Sequence, residues 1–138
     1  MSYIKEAMRT DGSVYGAKER LQIDKIVRLL HGGIGIASEA GELLDAIKAF
    51  IYYGKDLNEL NIKEELGDLF WFIALVCDSI GLTFEEIQEA NIAKLHARYP
   101  LTFTEAYATQ RDLEIEKQAL EKKASKMLHK IWRIKNDL

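Results

Sequence analysis

Two pairs of acidic residues are the strongest candidates for metal ligands in this sequence. Glu39 and Glu42 form the first pair, and Glu65 and Asp68 form the second pair after 22 intervening residues. Each pair has i, i+3 spacing, so both carboxylates share one face if the segment is a helix. Apolar residues surround both pairs, and charges placed against a buried face need compensation. We therefore expect a divalent cation between the pairs, with Mg2+ favoured by oxygen ligands and Mn2+ as a substitute.

An alternative interpretation is that these acids are solvated helix residues that pair with nearby lysines. A single Glu-x-x-Glu favours that alternative, whereas two such pairs on adjacent apolar helices favour the metal site. Glu64 complicates the second pair because it lies four residues before Asp68 and shares part of its face. We take Glu65 as the ligand and keep Glu64 as a peripheral member.

Both acidic pairs are predicted to lie on helices. The chain contains one proline and lacks alternating runs of β-branched residues, so we predict an all-α helical bundle. Apolar residues at three-to-four spacing predict a helix over 18–53, with a bend or close helix packing at the glycines of segment 32–35. Residues 54–61 form the turn of a hairpin, and a second helix covers 62–80.

Further helices are predicted after this hairpin. Gly81 fits a C-terminal cap, and segment 83–86 has the capping-box form that begins a third helix, which ends before Pro100. Segment 102–105 is a second capping-box candidate that opens a short helix. Apolar residues seven apart predict a last amphipathic helix from Asp112, which packs on the bundle or on a second subunit.

These elements divide the chain into three parts. Residues 1–17 contain turn-forming residues and are interpreted as a loosely ordered lead-in. Residues 18–111 form the helical catalytic domain that carries the acids. Residues 112–138 form the C-terminal amphipathic helix.

Composition and charge exclude several classes of protein. The 138-residue chain has a net charge of −3, which does not indicate a general nucleic-acid or membrane binder. Its beginning has no apolar stretch of the signal-peptide kind, and its longest apolar run is too short to span a bilayer. Cys77 is the only cysteine and lies in an apolar run, so it is expected to be a small core residue. We therefore expect a cytoplasmic protein with no intrachain disulfide.

A downstream stripe and two aromatic residues are candidates for substrate binding. Asn91, Lys94 and Arg98 fall along one face of the predicted third helix, where cationic side chains could bind phosphate oxygens beside a metal site. Trp71 and Phe72 could stack on a base, but neighbouring helix positions diverge by about 100° and cannot face one pocket equally. The alternatives are an exposed amphipathic helix for the stripe and core or subunit-interface packing for the two aromatic residues.

These segments together resemble the MazG-like, all-α nucleoside triphosphate pyrophosphohydrolase superfamily. The signature of that family is Glu-x-x-Glu, a gap and then Glu-x-x-Asp, which is matched here by Glu39, Glu42, Glu65 and Asp68. The amino-acid sequence of segments 35–42, 64–69 and 91–100 also resembles that of family members. The resemblance covers about residues 25–112, so the roles of the remaining residues depend on periodicity alone.

The resemblance implies an activity. The four acids would bind Mg2+ that engages the triphosphate of a nucleotide, and water would attack the α-phosphorus to release a (deoxy)nucleoside monophosphate and pyrophosphate. Cleansing of a nucleotide pool is the associated role. Such a reaction depends mainly on positioning and charge neutralisation, which the metal and Lys94 could supply. The resemblance also implies a homodimer or a dimer of dimers, with the pocket near helix interfaces.

Three other interpretations stay open. The related phosphoribosyl-ATP pyrophosphohydrolase uses the same metal logic but needs a pocket for a larger adduct. A di-iron site is disfavoured because no histidine lies three residues after any of the four acids, and His31 is interpreted as a packing residue. A non-enzymatic helical interaction module would bind a partner through the seam at 113–138 and would need no metal.

Overall fold

The computed structural model describes residues 2–12 and 16–122 of the chain. All regular secondary structure in these ranges is helical, which confirms the all-α prediction. Two short helices come first, α1 (Tyr3–Met8) and α2 (Ala17–Arg20). Because α1 lies in the predicted lead-in, that segment contains more helix than its turn-forming residues indicated.

A long antiparallel hairpin follows, made of α3 (Asp24–Tyr53) and α4 (Glu59–Ile80). α3 begins six residues later than predicted because the backbone at Ile23 is extended, with φ −96° and ψ 113°. Gly54 ends α3 in the left-handed conformation, at φ 62°, which a glycine adopts without steric cost. α4 begins earlier than predicted because the side chain of Asn58 caps it, accepting a hydrogen bond of 3.1 Å from the Asn61 backbone N–H.

The two helices of the hairpin pack closely at the glycines of α3. Gly32 and Gly35 are buried, and a Cβ atom on Gly32 would lie 2.5 Å from Cγ2 of Val76. α3 continues as one helix through these positions, and the glycines allow the close packing that was one of the two predicted alternatives. Cys77 is 6% exposed, which confirms its prediction as a core residue.

One face of α3 carries exposed apolar side chains, which we name the apolar stripe. Its members recur at helical spacing and are 46–65% exposed: Val27, Leu30, Ile34, Leu44 and Ile51. Among residues 2–12 and 16–122, Cys77 is the one apolar side chain that is buried, and the others are half-buried or exposed. The single chain therefore leaves much of the apolar surface of α3 in contact with solvent.

The chain divides between Gly81 and Leu82 into two compact units, a boundary that lies inside the predicted domain 18–111. The second unit begins with α5 (Phe84–Arg98), and the predicted capping box is present there between Thr83 and Glu86. The three-part division of the chain stays a prediction.

Two shorter helical segments follow α5 in the second unit. The short helix α6 (Glu105–Thr109) is capped by Thr104, so the prediction of a box that begins at Thr102 was wrong by two residues. A further helix, α7, is described over 113–122, and Oδ1 of Asp112 accepts the backbone N–H groups of its first turn. The rest of the predicted C-terminal seam lies outside the described residues.

Within the described ranges, no single helix is both long and apolar enough to cross a membrane. α4 and α5 satisfy that requirement only when they are taken together across their break, by length and composition alone.

Candidate metal and substrate site

Three of the four predicted metal ligands converge where α3 and α4 face each other. One carboxylate oxygen from each of Glu39, Glu42 and Glu65 lies within 4.8 Å of the other two. We name this group the carboxylate cluster. Glu65 is buried at 4% exposure, Glu39 is half-buried and Glu42 is exposed. The cluster therefore runs from the interior of the hairpin to its surface, where an ion and a ligand could enter.

The same helix faces that pack the hairpin also carry these acids. Gly32, Gly35, Glu39 and Glu42 follow one another at three- and four-residue intervals, so they form one face of α3. On α4, Glu65 precedes Phe72 by seven residues and therefore shares the face that meets the glycines. Because the glycines let the two backbones approach closely, the acids that lie one and two turns after Gly35 on α3 are brought to Glu65.

Hydrogen bonds hold two members of the carboxylate cluster. Nδ2 of Asn61 donates to Oε1 of Glu65 at 2.6 Å, so this buried carboxylate has a partner from its own helix. The hydroxyl of Ser38 lies 3.0 Å from the Gly35 carbonyl oxygen and 3.2 Å from Oε1 of Glu39, and its single proton serves one of them at a time. Sequence reasoning missed Asn61, although its i, i+4 spacing from Glu65 was a usable signal.

The chemistry of the carboxylate cluster suits a hard divalent cation. Three carboxylates this close repel one another, and a cation between them removes that repulsion. Each Mg–O distance is about 2.1 Å, so oxygens bound to one ion lie about 3–4 Å apart. Carboxylate oxygens within 4.8 Å of one another could therefore reach a single ion through small movements of the side chains.

The two other acids of α4 that the sequence analysis considered lie outside this cluster. Asp68 is exposed one turn after Glu65, and it is not part of the group of oxygens that lie within 4.8 Å. Its role as a ligand stays a prediction. Glu64 is also exposed and also lies outside the group, so the structure brings Glu65, and not its neighbour, to the acids of α3.

The two candidate aromatic residues occupy different environments. Phe72 lies in the helix interface against Gly35, whereas Trp71 is 56% exposed. Their ring centroids are 4.9 Å apart at an interplanar angle of 89°, an edge-to-face contact. His31 makes further edge contacts with both rings, at 6.3 Å from Trp71 and 5.6 Å from Phe72, as expected of a packing residue. Trp71 therefore offers the more accessible ring, and the base-binding role of either residue stays a prediction.

The three residues of the downstream stripe lie on α5, in the second compact unit. Asn91 is exposed and Lys94 is half-buried. Arg98 has a partner that sequence reasoning missed, because its Nε and Nη2 atoms donate to the two carboxylate oxygens of Glu116 at 2.9 and 2.5 Å. Arg111 donates to the same two oxygens, at 3.1 and 2.8 Å.

This pairing has clear electrostatic effects. Hydrogen bonds from Arg111 and Arg98 lower the pKa of the Glu116 carboxyl to about 2. The carboxylate of Glu116 in turn raises the pKa of both guanidinium groups. No spacing rule could have found the pair, since Arg98 and Glu116 are 18 residues apart on different helices.

The chain is similar in sequence to known proteins. A family model described as the MazG nucleotide pyrophosphohydrolase domain matches residues 34–103, half of the chain. The chain belongs to the MazG family. Gene 37 protein of Mycobacterium phage L5 is 29% identical over 80 residues, which cover 54% of this chain and 69% of the phage protein. No solved structure matches the chain.

The MazG match confirms the predicted family and, with the all-helical structure, the predicted fold class. It also supports the general kind of activity, nucleotide pyrophosphohydrolysis. Every residue of the predicted site lies inside the matched range, whereas Arg111 and Glu116 lie beyond its end. The MazG region thus includes Arg98 but not the two residues that hold it.

Proposed function

We propose that this MazG protein hydrolyses nucleoside or deoxynucleoside triphosphates to the monophosphate and pyrophosphate, and that it serves in cleansing a nucleotide pool. The ion would be Mg2+, with Mn2+ as a substitute, held by Glu39, Glu42, Glu65 and Asp68. The carboxylate cluster supports this proposal most strongly. Carboxylate oxygens of three acids from two helices lie within 4.8 Å of one another, and all three acids belong to the residues that the MazG family model matches. Repulsion among these acids has no purpose in packing, and a bound cation would offset it.

The chain's own residues divide the work as follows. Glu65 is held in place by Asn61 at the buried end of the carboxylate cluster, so it would anchor the ion. The chemistry that Mg2+ would supply there is neutralisation of phosphate charge and activation of water. Glu42 lies at the exposed end, where ligand exchange with solvent is possible.

The remaining candidate residues would bind the substrate. Lys94 and Arg98 bind phosphate oxygens through charge-assisted hydrogen bonds, and Asn91 binds a phosphate oxygen or a metal-bound water. Trp71, with more than half of its surface exposed, stacks on the base, and Phe72 supports it from the helix interface. The charge of Lys94 compensates the negative charge that develops on the phosphates.

A second copy of the chain belongs to the proposal as well. The apolar stripe on α3 is 46–65% exposed along several helical turns. Burying apolar surface contributes roughly 25 cal/mol per Å². A homodimer or homotetramer that covers the stripe would supply the apolar burial that the single chain lacks.

The test measures pyrophosphate release from canonical and modified NTPs and dNTPs, with Mg2+, with Mn2+ and with EDTA. We expect metal-dependent release of pyrophosphate and monophosphate in equal amounts, and the panel ranks the substrates. Glu42→Gln should abolish release while circular dichroism shows a retained fold. The matched control is Glu64→Gln, which removes the same charge from an exposed acid outside the carboxylate cluster and should retain activity.

Two outcomes would contradict the proposal. Retained turnover by Glu42→Gln would remove the metal assignment. Absence of release from every nucleotide, by folded protein with either metal, would favour phosphoribosyl-ATP as the substrate or a non-enzymatic interaction module. Phosphoribosyl-ATP is therefore included in the panel.

A further inference from the structure

Two arginines from different segments converge on one carboxylate at the end of α5. Oε1 of Glu116 accepts from Nε of both Arg98 and Arg111, and Oε2 accepts from Nη2 of both. Each guanidinium thus makes a bidentate, edge-on contact of the kind by which proteins bind carboxylate and phosphate ligands. Glu116 is only 4% exposed, so the carboxylate is enclosed by this contact.

Two guanidinium groups share the single carboxylate of Glu116 at this point. Glu116 therefore offsets only one of the two positive charges, and the charge of the second must be offset by other groups at the adjoining cavity. This cavity has a volume of about 220 Å³, and both arginines line it together with Tyr107 and Gln110. Asp112 is the other acid at this cavity, and its Oδ1 is engaged by backbone N–H groups of α7.

The two arginines are also unequally accessible. The side chain of Arg111 is 43% exposed, whereas that of Arg98 is 17% exposed. An anion in the cavity could therefore reach Arg111 first and then compete with Glu116 for Arg98.

We propose that Arg98 and Arg111 form a polyphosphate-binding site, and that the Glu116 carboxylate occupies this site as an internal competitor. The class of ligand, a polyphosphate, rests on the proposed function. The ligand is a polyphosphate oxyanion, either the triphosphate of the substrate or the pyrophosphate product. Arg111 is then a binding residue beyond the MazG match. Binding of the ligand displaces the Glu116 carboxylate and so releases the contact between α5 and α7.

The experiment titrates inorganic tripolyphosphate and pyrophosphate into the full-length protein in EDTA, followed by calorimetry and thermal unfolding. EDTA removes any contribution of metal bound at the carboxylate cluster. Glu116→Gln keeps the size of the side chain and removes the competing charge, so it should bind polyphosphate about tenfold more tightly than the wild type. It should also unfold at a lower temperature than the wild type without ligand and recover when polyphosphate is added, because the anion replaces the lost carboxylate.

Two further variants make the result specific. Glu114→Gln removes the same charge from an exposed position of α7 and should bind as the wild type does. Arg111→Ala should weaken binding about tenfold. Tighter binding of tripolyphosphate than of pyrophosphate would assign the site to the substrate, and the opposite order would assign it to the product.

Equal or weaker binding by Glu116→Gln would overturn the competitor role and leave a structural ion pair. If that variant fails to fold, unchanged binding by Arg111→Ala overturns the site instead. The proposed function is tested separately. Polyphosphate binding that follows Glu116 and Arg111 without nucleotide hydrolysis would overturn only the proposed function, and hydrolysis with unchanged polyphosphate affinities would overturn only the anion site.

Discussion

The ring of Phe72 occupies the space that a side chain on Gly35 would need. A Cβ atom built on Gly35 lies 2.2 Å from both Cδ1 and Cε1 of that ring. Such a separation is far below van der Waals contact, so the approach of α3 to α4 requires a glycine at this position. The distance between the helices, and with it the distance between the acids of the carboxylate cluster, is set by this contact.

Gly35→Ala should therefore destabilise the protein although alanine is the better helix former. We expect a loss of about 1–3 kcal/mol in the free energy of unfolding, because the added methyl group forces the ring and the helices apart. Urea denaturation followed by circular dichroism measures this loss.

Gly33 provides the matched control for that substitution. It lies on the same helix, and a Cβ atom there meets nothing within 4 Å. Gly33→Ala should stabilise the protein by about 0.5–1 kcal/mol through helix propensity alone. Effects of the same sign and size at Gly33 and Gly35 would contradict the packing role of Gly35.

Glu42→Gln should have opposite effects on stability with and without metal. In EDTA the variant should unfold at a higher temperature than the wild type, because one of three mutually repelling charges is gone. Added Mg2+ should raise the unfolding temperature of the wild type and have little effect on the variant, since ligand binding stabilises only a protein that binds it. Thermal unfolding across a Mg2+ titration measures both effects, and an equal response of the two proteins to Mg2+ would argue against a cation at the carboxylate cluster.

Lys94→Ala should weaken phosphate binding and spare the affinity for Mg2+. We expect KM for the nucleotide to rise about tenfold, which corresponds to the loss of one charge-assisted hydrogen bond. Lys55→Ala, at an exposed lysine of the α3–α4 turn, is the control for the change in overall charge. Steady-state kinetics and a separate Mg2+ titration measure the two affinities, and an equal loss of both would indicate a structural role for Lys94.

The Glu116 ion pairs should make stability depend on acid in a defined range. Their hydrogen bonds lower the pKa of Glu116 from 4.5 to about 2, so they stabilise the folded protein above the unfolded value and are lost as the pH falls toward 2. The difference in unfolding free energy between the wild type and Glu116→Gln should therefore be largest above about pH 5 and shrink as the pH falls from about 4.5 toward about 2. Urea denaturation at several pH values measures this difference. Glu114→Gln is the control for the loss of one charge from α7, and a difference for Glu116→Gln that does not change with pH would contradict the pairing.

The hairpin could be predicted from local sequence signals. Gly54 and Gly81 end the two long helices as predicted, because glycine readily adopts the left-handed conformation that the end of each helix requires. α4 begins three residues earlier than predicted. Several polar residues of the turn could cap this helix, and the hydrogen bond that the Asn58 side chain makes decides which of them does. The same choice between candidate caps explains why Thr104, and not Thr102, caps α6.

The candidate site was predictable to the extent that it follows helix periodicity. Glu39, Glu42 and Glu65 come together because each lies on the face that packs the hairpin. The partner of Arg98 could not be predicted, because the Glu116 contact depends on how α5 and α7 are connected and not on spacing within either helix. A guanidinium assigned to phosphate by its place in a stripe was therefore found bound to a carboxylate of the same chain.

The way in which the hairpin assembles the carboxylate cluster has a consequence for the rate of folding. Its acids lie on two consecutive helices joined by a short turn, so closing one hairpin is enough to assemble them. Closing the hairpin brings three negative charges together, and their repulsion opposes this step when no cation is present. Divalent cations should consequently accelerate refolding as well as bind to the finished protein, and the folding rate would report how early the acids meet.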